Sequence, residues 1–443
     1  GQMAWRAGSA AGARALFDRA HDAFEAVGEV RAASRVSARL GEIDFMEGHP
    51  PEAVARLEEA LAALAGGEED AELAVVTAQL GRFLLFSSRD EEAAPHLERA
   101  LDLAEALDLP ETLAQAMNSK AVLVQRRDRL FESRVLLEGA LELALSHNLH
   151  AAALRAYNNL SVNMLWADLF AEDNALEERA LEHARRVGDR AWEAQFVRGI
   201  GGHLFWLGRW DEALARSDEA AQLAPELTSQ GVDNTSISIH CERGELTRAR
   251  EVLSQTAAGE SEDAQRLAVY ATAEARLLRV EGKSVEAQAA AERALATSRE
   301  QGVTSLVFKL SLFEALEAAL ERGDTTRADE LLATLAPLKP GQRTPFLRAI
   351  QAEFQARLGA LQGDADVEAQ FTSAEAFYRD LQGPFDTARV ELHHAEWLIA
   401  QERVDEAHVL LAAARETFER LHATPWLQRL EAAEASTPAQ TPA

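Results

Sequence analysis

The amino-acid sequence repeats a pair of small residues, seven positions apart, at intervals of about 40 residues. The clearest pair is Ala93 and Ala100, and the same alanine pair begins at positions 13, 53, 213, 287, 369 and 407. Weaker copies begin at Ser133, Asp173, Ala249 and Ala328. A third small residue, such as Gly41, Gly81 or Gly201, precedes the pair by twelve positions in seven of the ten repeats long enough to show it. Regular internal repetition of this length is typical of stacked structural repeats.

Close packing of two antiparallel helices explains this spacing. Such helices approach each other only where the side chains at the crossing are small, and a larger residue there would overpack the contact at a cost of about 1–3 kcal/mol. Turn residues such as Gly208-Arg209 and Gly244-Glu245 lie between the first small residue and the alanine pair of a repeat. They would end the first helix and allow the second to begin. The chain is rich in good helix formers and contains only 12 prolines. The pattern therefore predicts an all-α protein.

This spacing resembles that of the tetratricopeptide repeat, over residues 10–421. The unit is near 40 residues rather than about 34, which is typical of the arrays in large bacterial signalling ATPases. The resemblance implies a right-handed α-solenoid of about eleven helix pairs, forming a single superhelix over residues 1–435. Most of the first helix of the first repeat is missing, so we expect the chain to be cut from a longer protein.

Residues 415–427 resemble the closing segment of the repeat array in large bacterial ATP-binding regulators of the LuxR type and in multidomain adenylate-cyclase-like proteins. We expect a capping helix at 424–435 and a disordered tail at 436–443. The resemblance implies a sensor or scaffold region of a bacterial signalling regulator, with attached ATPase or cyclase domains as partners in the full-length protein.

Charge and composition exclude several function classes. The chain has 45 basic and 73 acidic residues, a net charge of −28, which disfavours direct nucleic-acid binding. A single cysteine rules out an internal disulfide framework, and no apolar stretch is long enough for a membrane span. We expect a cytoplasmic protein.

Motifs for catalysis, cofactors or metals are weak. Gly282-Lys283-Ser284 lacks the first glycine and the strand of a phosphate-binding loop. His393 and His394 lack a histidine at zinc-binding spacing, and we interpret them as solvated or capping residues. Cys241 is interpreted as inert packing. The sequence thus predicts a binding protein rather than an enzyme, with no cofactor and no metal.

The predicted ligand site lies on the first helices of the central repeats, which line the concave groove of a solenoid. Exposed inner positions lie six and three residues before the small residue and one, four and five after it. There the middle repeats place amides, guanidiniums and aromatic rings suited to a peptide backbone, to a carboxylate and to apolar anchors. The predicted groove residues are Gln115, Asn118, Gln125, Arg126, Arg155, Asn158, Trp166, Gln195, Arg198, Phe205, Trp206 and Asn234.

Three functions follow from this pattern. The first is the binding of a protein or peptide partner, acidic or with a free carboxylate, in the groove. The second is the sensing of a small-molecule inducer. The third is a structural scaffold that forms a homodimer. A deep apolar pocket would favour the second, and concentration-dependent association would favour the third.

Overall fold

The protein is α-helical in the residues that the computed structural model describes, which are 10–46, 48–225, 231–256, 259, 264–299 and 302–436. These residues form 22 α-helices and a short 3-10 turn at Pro340–Gln342, and they contain no β-strand. In chain order the helices are α1 (Ala10–Ala26), α2 (Val30–Met46), α3 (Pro50–Leu64), α4 (Ala71–Phe86), α5 (Asp90–Ala106), α6 (Pro110–Arg126), α7 (Leu130–Ser146), α8 (His150–Trp166), α9 (Phe170–Val187), α10 (Arg190–Trp206), α11 (Trp210–Leu223), α12 (Asn234–Arg243), α13 (Leu246–Ser254), α14 (Ala264–Val280), α15 (Ser284–Arg299), α16 (Leu306–Glu321), α17 (Thr325–Ala333), α18 (Pro345–Gln362), α19 (Val367–Asp380), α20 (Pro384–Ala400), α21 (Val404–Leu421) and α22 (Thr424–Ala435).

Consecutive helices pack in pairs, and each pair corresponds to one sequence repeat. Helix α1 is the second helix of the first repeat. From α2 to α21, even-numbered helices are the first helices of repeats and odd-numbered helices are the second. The prediction of an all-α chain built from tetratricopeptide-type helix pairs is confirmed for the described residues.

Small residues lie at the helix crossings, as the spacing predicts. A Cβ atom added to Gly81 on α4 would lie 2.8 Å from Leu97 Cδ2 on α5, and one added to Gly201 on α10 would lie 3.3 Å from the carbonyl oxygen of Ala213 on α11. The alanines of the pair, such as Ala93, are fully buried. The repeated small residues are therefore what allows each first helix to approach its partner.

Helix pairs turn through residues in the left-handed conformation. Glycine provides this conformation at Gly208 and Gly244, with φ of 68° and 80°, whereas Asp128 and Asp168 adopt φ of 56° and 63° in other repeats. A left-handed residue after the last helical turn satisfies the free carbonyl groups there. Aspartate tolerates this conformation better than most residues, so the turns persist where glycine is absent.

Contacts between Cα atoms divide the chain into two compact units, unit 1 (Gly1–Leu160) and unit 2 (Ser161–Ala443). In unit 1 the core is formed between first and second helices by residues such as Leu57, Leu80, Phe83 and Leu97. The single superhelix over 1–435 stays a prediction.

Unit 2 also packs on itself across five repeats. The turn after α8 meets the start of α18, where the Phe346 N–H donates to Asp168 Oδ2 at 2.7 Å. The turn after α10 meets the start of α20, since a Cβ on Gly208 would lie 2.6 Å from Pro384 Cγ. The turn after α12 meets the start of α22, since a Cβ on Gly244 would lie 3.1 Å from Pro425 Cγ. Trp426 Nε1 also donates to Glu242 Oε2, at the end of α12, at 2.8 Å. Within unit 2, three successive turns are thus covered by later first helices and by α22.

Both chain ends fall largely outside this description. The predicted truncation of the first repeat concerns residues 1–9, and the predicted disordered tail concerns residues 436–443, of which only Ser436 is among the described residues. Among the described helices, none has the length and apolar character needed to cross a bilayer.

Candidate ligand-binding site

The predicted groove residues are divided equally between the two units, and in unit 1 two of them link helices. Arg126 Nη1 donates to the Leu85 carbonyl oxygen at 2.7 Å and to Asp90 Oδ1 at 2.9 Å. The guanidinium therefore connects α6 to the end of α4. Gln125 is buried, and its Oε1 accepts a hydrogen bond from Ser133 Oγ at 3.3 Å. Both side chains have intramolecular partners, which reduces what they can offer to a ligand.

The remaining predicted residues of unit 1 offer polar atoms on α6 and α8. Gln115 Nε2 donates to Glu111 Oε1 at 3.4 Å, and Asn158 Nδ2 donates to Asn159 Oδ1 at 3.3 Å. Asn118 is buried, and its Oδ1 has no hydrogen-bond partner among the described residues. An unpaired buried amide oxygen is costly unless something donates to it.

In unit 2 the predicted aromatic residues pack against other rings. Trp206 stacks on Phe170 with centroids 4.8 Å apart and meets the edge of Phe346 at 5.1 Å. Phe205 stacks on Trp210 at 6.0 Å. Because unit 2 folds back on itself, Trp206 joins three helices of the same chain, and its ring is half-buried rather than open to a ligand.

The other predicted residues of unit 2 do not share one such cluster. Trp166 is half-buried, and its carbonyl oxygen accepts a hydrogen bond from Lys309 Nζ at 2.8 Å. Gln195 is exposed, and Asn234 is half-buried at the first turn of α12. Arg198 is half-buried, has no ion-pair partner within 4 Å among the described residues, and has its pKa lowered by burial.

Arg82, on α4, belongs to this surface but was not among the residues predicted from the sequence. Arg82 directly follows the small residue Gly81, and the position after the small residue is one of the inner positions given by the repeat. The spacing could therefore have identified Arg82. Its guanidinium carbon lies 5.6 Å from the centroid of Phe86, a side chain that is 44% exposed. Its Nε is buried without a hydrogen-bond partner among the described residues.

Arg82 and Arg155 form a pair of like charges within unit 1. Both are half-buried, and neither has a carboxylate within 4 Å among the described residues. Burial and then the charge of Arg155 lower the pKa of Arg82 to about 9. Burial also lowers the pKa of Arg155. The carboxylate acting on both from a distance, Glu42, already accepts a hydrogen bond from Arg39 at 3.0 Å.

In unit 2 several inner charges are paired, although Arg198 is not. Glu314 on α16 accepts hydrogen bonds from Arg276 at 2.7 Å and from Arg279 at 2.9 Å. Glu353 on α18 accepts one from Arg389 Nη2 at 2.9 Å. Although burial alone would raise the pKa of Glu314, Arg279 and Arg276 lower it. We therefore define the candidate site as the inner face of unit 1 around Arg82, Phe86, Asn118 and Arg155, where polar groups lack partners among the described residues.

The interpretation of His393 and His394 as solvated or capping residues was wrong. His393 and His394 are buried, whereas solvated or capping side chains were expected. His394 Nδ1 lies 2.7 Å from Glu375 Oε1, and His393 Nδ1 lies 3.5 Å from Glu353 Oε1. They lie just before the small residue Ala395 on α20, which is packed between α18 and α22, so the helix has little free surface there.

Metal-ligating side chains converge at one place among the described residues. Ligand atoms of Asp173, Glu177 and His203 lie within 4.8 Å of one another, and all three side chains are buried. These residues were not predicted from the sequence, because His203 lies on the next helix and no local spacing links it to Asp173 and Glu177.

Comparisons with known proteins indicate the kind of structure that this chain resembles. No protein-family model matches, and no curated protein matches. One similar solved structure is BtubC from P. vanneervenii, which is 20% identical over 49% of this chain and 92% of that chain, with a TM-score of 0.41. The apo quorum sensor NprR from B. thuringiensis is 12% identical over 89% of this chain and 99% of that chain, with a TM-score of 0.41. A STAND protein with a tetratricopeptide repeat sensor from Pyrococcus horikoshii is 11% identical over 90% and 55%, with a TM-score of 0.38.

Proposed function

We propose that this chain is a protein- or peptide-binding module and that Arg82 and Arg155 hold an acidic group of the partner on the inner face of unit 1. The observation that carries the proposal is the pair of half-buried guanidiniums with no carboxylate within 4 Å among the described residues. Charges removed from water are normally paired. A carboxylate between the two arginines would relieve their mutual repulsion and provide the missing hydrogen-bond acceptor.

The chemistry of this face favours a peptide carboxylate. Guanidinium groups bind carboxylates through two parallel hydrogen bonds, which are stronger than neutral ones. The unpaired Oδ1 of Asn118 is buried, and a rotation of the side chain toward the groove would let it accept an N–H from an extended backbone. Phe86, 44% exposed beside Arg82, offers an apolar contact. An anion, a backbone donor and an apolar side chain together describe a short acidic peptide segment.

The chain's overall charge defines how such a partner would approach. At −28 the protein repels an acidic partner at long range, so the arginine pair must act locally. On this proposal the module acts by binding rather than catalysis, as part of a cytoplasmic bacterial signalling regulator. Partner binding would bias an attached ATPase or output domain. The sequence resemblance supports this last step.

Peptide selection tests the proposal and needs no assumption about the partner's sequence. A library of random twelve-residue peptides with free carboxyl termini is selected on the full chain and on Arg82→Gln/Arg155→Gln. We expect the unmodified chain to enrich peptides containing Asp, Glu or a required C-terminal carboxylate, and the double variant to bind them about 100-fold more weakly.

Arg89→Gln/Arg134→Gln is the matched control, since it removes two guanidiniums of unit 1 that already pair with Glu92 and Glu138. The control should retain the selected peptides. Enriched peptides without acidic groups, or equal binding by both double variants, would contradict the proposal.

A further inference from the structure

Three positions of the repeat carry ionisable residues where other repeats do not. Asp173 stands at the first position of the alanine pair, which is alanine or serine in the ten other repeats. Glu177 lies four residues later, where six repeats have leucine. His203 lies two residues after the small residue Gly201, where the other repeats have uncharged side chains: Ile43, Phe83, Leu123, Asn163, Ile239, Leu277, Ala318, Gly359 and Trp397. The repeats thus serve as internal references, and they show three coordinated departures from apolar packing.

The three departures meet in space. Asp173 and Glu177 are one helical turn apart on α9, and His203 lies opposite them on α10. His203 Nε2 lies 3.3 Å from Asp173 Oδ2 and 3.2 Å from Glu177 Oε2. The side chains are exposed by only 1%, 0% and 8% for His203, Asp173 and Glu177.

Several of their polar atoms have no hydrogen-bond partner among the described residues. These atoms are Asp173 Oδ1, Glu177 Oε2 and both ring nitrogens of His203. Orphaned polar atoms at this depth are strongly unfavourable. His203 Nε2 lies at ion-pair distance from both carboxylates. Its single N–H cannot serve both acids, whereas a cation bound between the three side chains would satisfy all of them.

The surrounding residues make room for the carboxylates. A Cβ atom on Gly199 would overlap the carboxylate of Glu177, so the glycine allows that carboxylate to take its present position. Ser161 Oγ lies 2.9 Å from Glu177 Oε1 and 3.2 Å from Asp173 Oδ2, so its single proton is shared between the two acids or donated to one of them, and it holds both beside His203. Hydrogen bonds of this kind commonly orient the ligands of metal ions.

We infer that Asp173, Glu177 and His203 form a structural site for one divalent transition-metal ion, with Zn²⁺ as the best fit, joining the second helix of one repeat to the first helix of the next. Ligand atoms bound to a tetrahedral zinc ion at about 2.0–2.1 Å are separated by about 3.3–3.4 Å. The two His203 contacts, at 3.3 and 3.2 Å, match this separation.

Charge and ligand type also favour zinc. Two carboxylates and a neutral imidazole carry a net charge of −2, which one divalent ion neutralises in a buried place. Imidazole disfavours Mg²⁺ and Ca²⁺, which prefer oxygen ligands. Three protein ligands leave the fourth tetrahedral position to a water molecule. Because all three ligands are buried, a substrate in solution has no access to the ion, and we therefore assign it a structural role.

The test uses the tag-free full chain, stripped with a chelator and dialysed into metal-free buffer. We expect one Zn²⁺ per chain after desalting, measured by elemental analysis, and a rise in Tm of about 5 °C with zinc in excess. Co²⁺ should give a visible absorption spectrum of tetrahedral coordination. The variant Asp173→Ala/Glu177→Leu/His203→Leu, which restores residue types of the other repeats, should fold and lose all three responses.

Two further variants make the result decisive. His203→Gln keeps a polar side chain and should abolish the Co²⁺ spectrum even if the triple variant fails to fold. His394→Asn removes a buried histidine that pairs with Glu375 elsewhere and should keep the ion. Absence of stoichiometric Zn²⁺ in the unmodified chain, or a Co²⁺ spectrum that survives His203→Gln, would overturn the inference.

Discussion

Asp168 and Lys309 form an ion pair in which both side chains are fully buried, although 141 positions separate them in the sequence. Asp168 Oδ2 also accepts the Phe346 N–H at 2.7 Å, and Lys309 Nζ also donates to the Trp166 carbonyl oxygen at 2.8 Å. These bonds connect the turn after α8 to α16 and α18. The pair therefore holds together helices of unit 2 that are distant in sequence.

Lys309→Met should destabilise the protein by about 3–5 kcal/mol, because it leaves the Asp168 carboxylate buried without its cation. Urea denaturation followed by circular dichroism measures the change. Lys283→Met is the control: Lys283 pairs with Glu281 at 2.7 Å but is half exposed, so its loss should change stability by less than about 1 kcal/mol. Equal effects of the two variants would contradict the assigned role of Lys309.

Neighbouring glycines on α10 provide a test of the helix crossings. Gly201→Ala places a Cβ 3.3 Å from the Ala213 carbonyl oxygen, whereas Gly202→Ala places one 3.8 Å from Thr235 Oγ1. Both changes gain the same helix propensity, so their difference isolates the crossing. We expect Gly202→Ala to be more stable than Gly201→Ala by about 1–3 kcal/mol in thermal unfolding. If Gly201→Ala proves the more stable variant, the packing role of this position is wrong.

The helix pairs could be predicted because their cause is local in sequence. Gly81 and Gly201 recur at a fixed distance before the alanine pairs, and the same distance brings them to the crossing. Arg82 could also have been found, since it occupies a predicted inner position. What the spacing lacks is information on partners: nothing in it shows that Arg126 has a carboxylate beside it and that Arg82 does not.

Contacts over five repeats were beyond the reach of the sequence. Trp206 stacks on Phe170 and contacts Phe346. These contacts depend on the rotation between successive repeats, and small differences in packing add up over the repeats. The repeat pattern places Trp206 on the inner face whatever the rotation between repeats. It does not state whether another part of unit 2 covers that face.

Cys241 should be almost inert to thiol reagents in the folded protein. It is 1% exposed, and burial, followed by the charge of Glu242, raises the pKa of its thiol to about 12. The reactive thiolate is then a fraction of about 10⁻⁴ at pH 8. Labelling by a chromogenic disulfide should be about 1000-fold slower than in strong urea, where the same thiol is exposed. Rapid labelling without urea would contradict this burial.

Glu391 should make stability depend on pH near neutrality. Burial, followed by the charge of Glu375, raises its pKa from 4.5 to about 7, while Arg379 opposes the shift. Because the pKa of Glu391 is higher in the folded than in the unfolded protein, the folded protein holds its proton more tightly. The contribution of Glu391 to the free energy of unfolding is therefore complete below pH 4.5 and is lost as pH rises through 7. Glu391→Gln should therefore gain about 1–3 kcal/mol relative to the unmodified protein between pH 5 and pH 8. Parallel stability curves for the two proteins would show that Glu391 titrates normally.

The most direct measurement of the proposed binding function is a double-mutant cycle on the arginine pair. Isothermal titration gives the affinity of a selected acidic peptide, and of its Glu→Gln form, for the unmodified chain and for Arg155→Gln. We predict a coupling free energy of at least about 1.5 kcal/mol between Arg155 and the peptide carboxylate, with a similar value for Arg82. Additive losses, with coupling near zero at both arginines, would show that the peptide's acidic group binds elsewhere and would contradict the account.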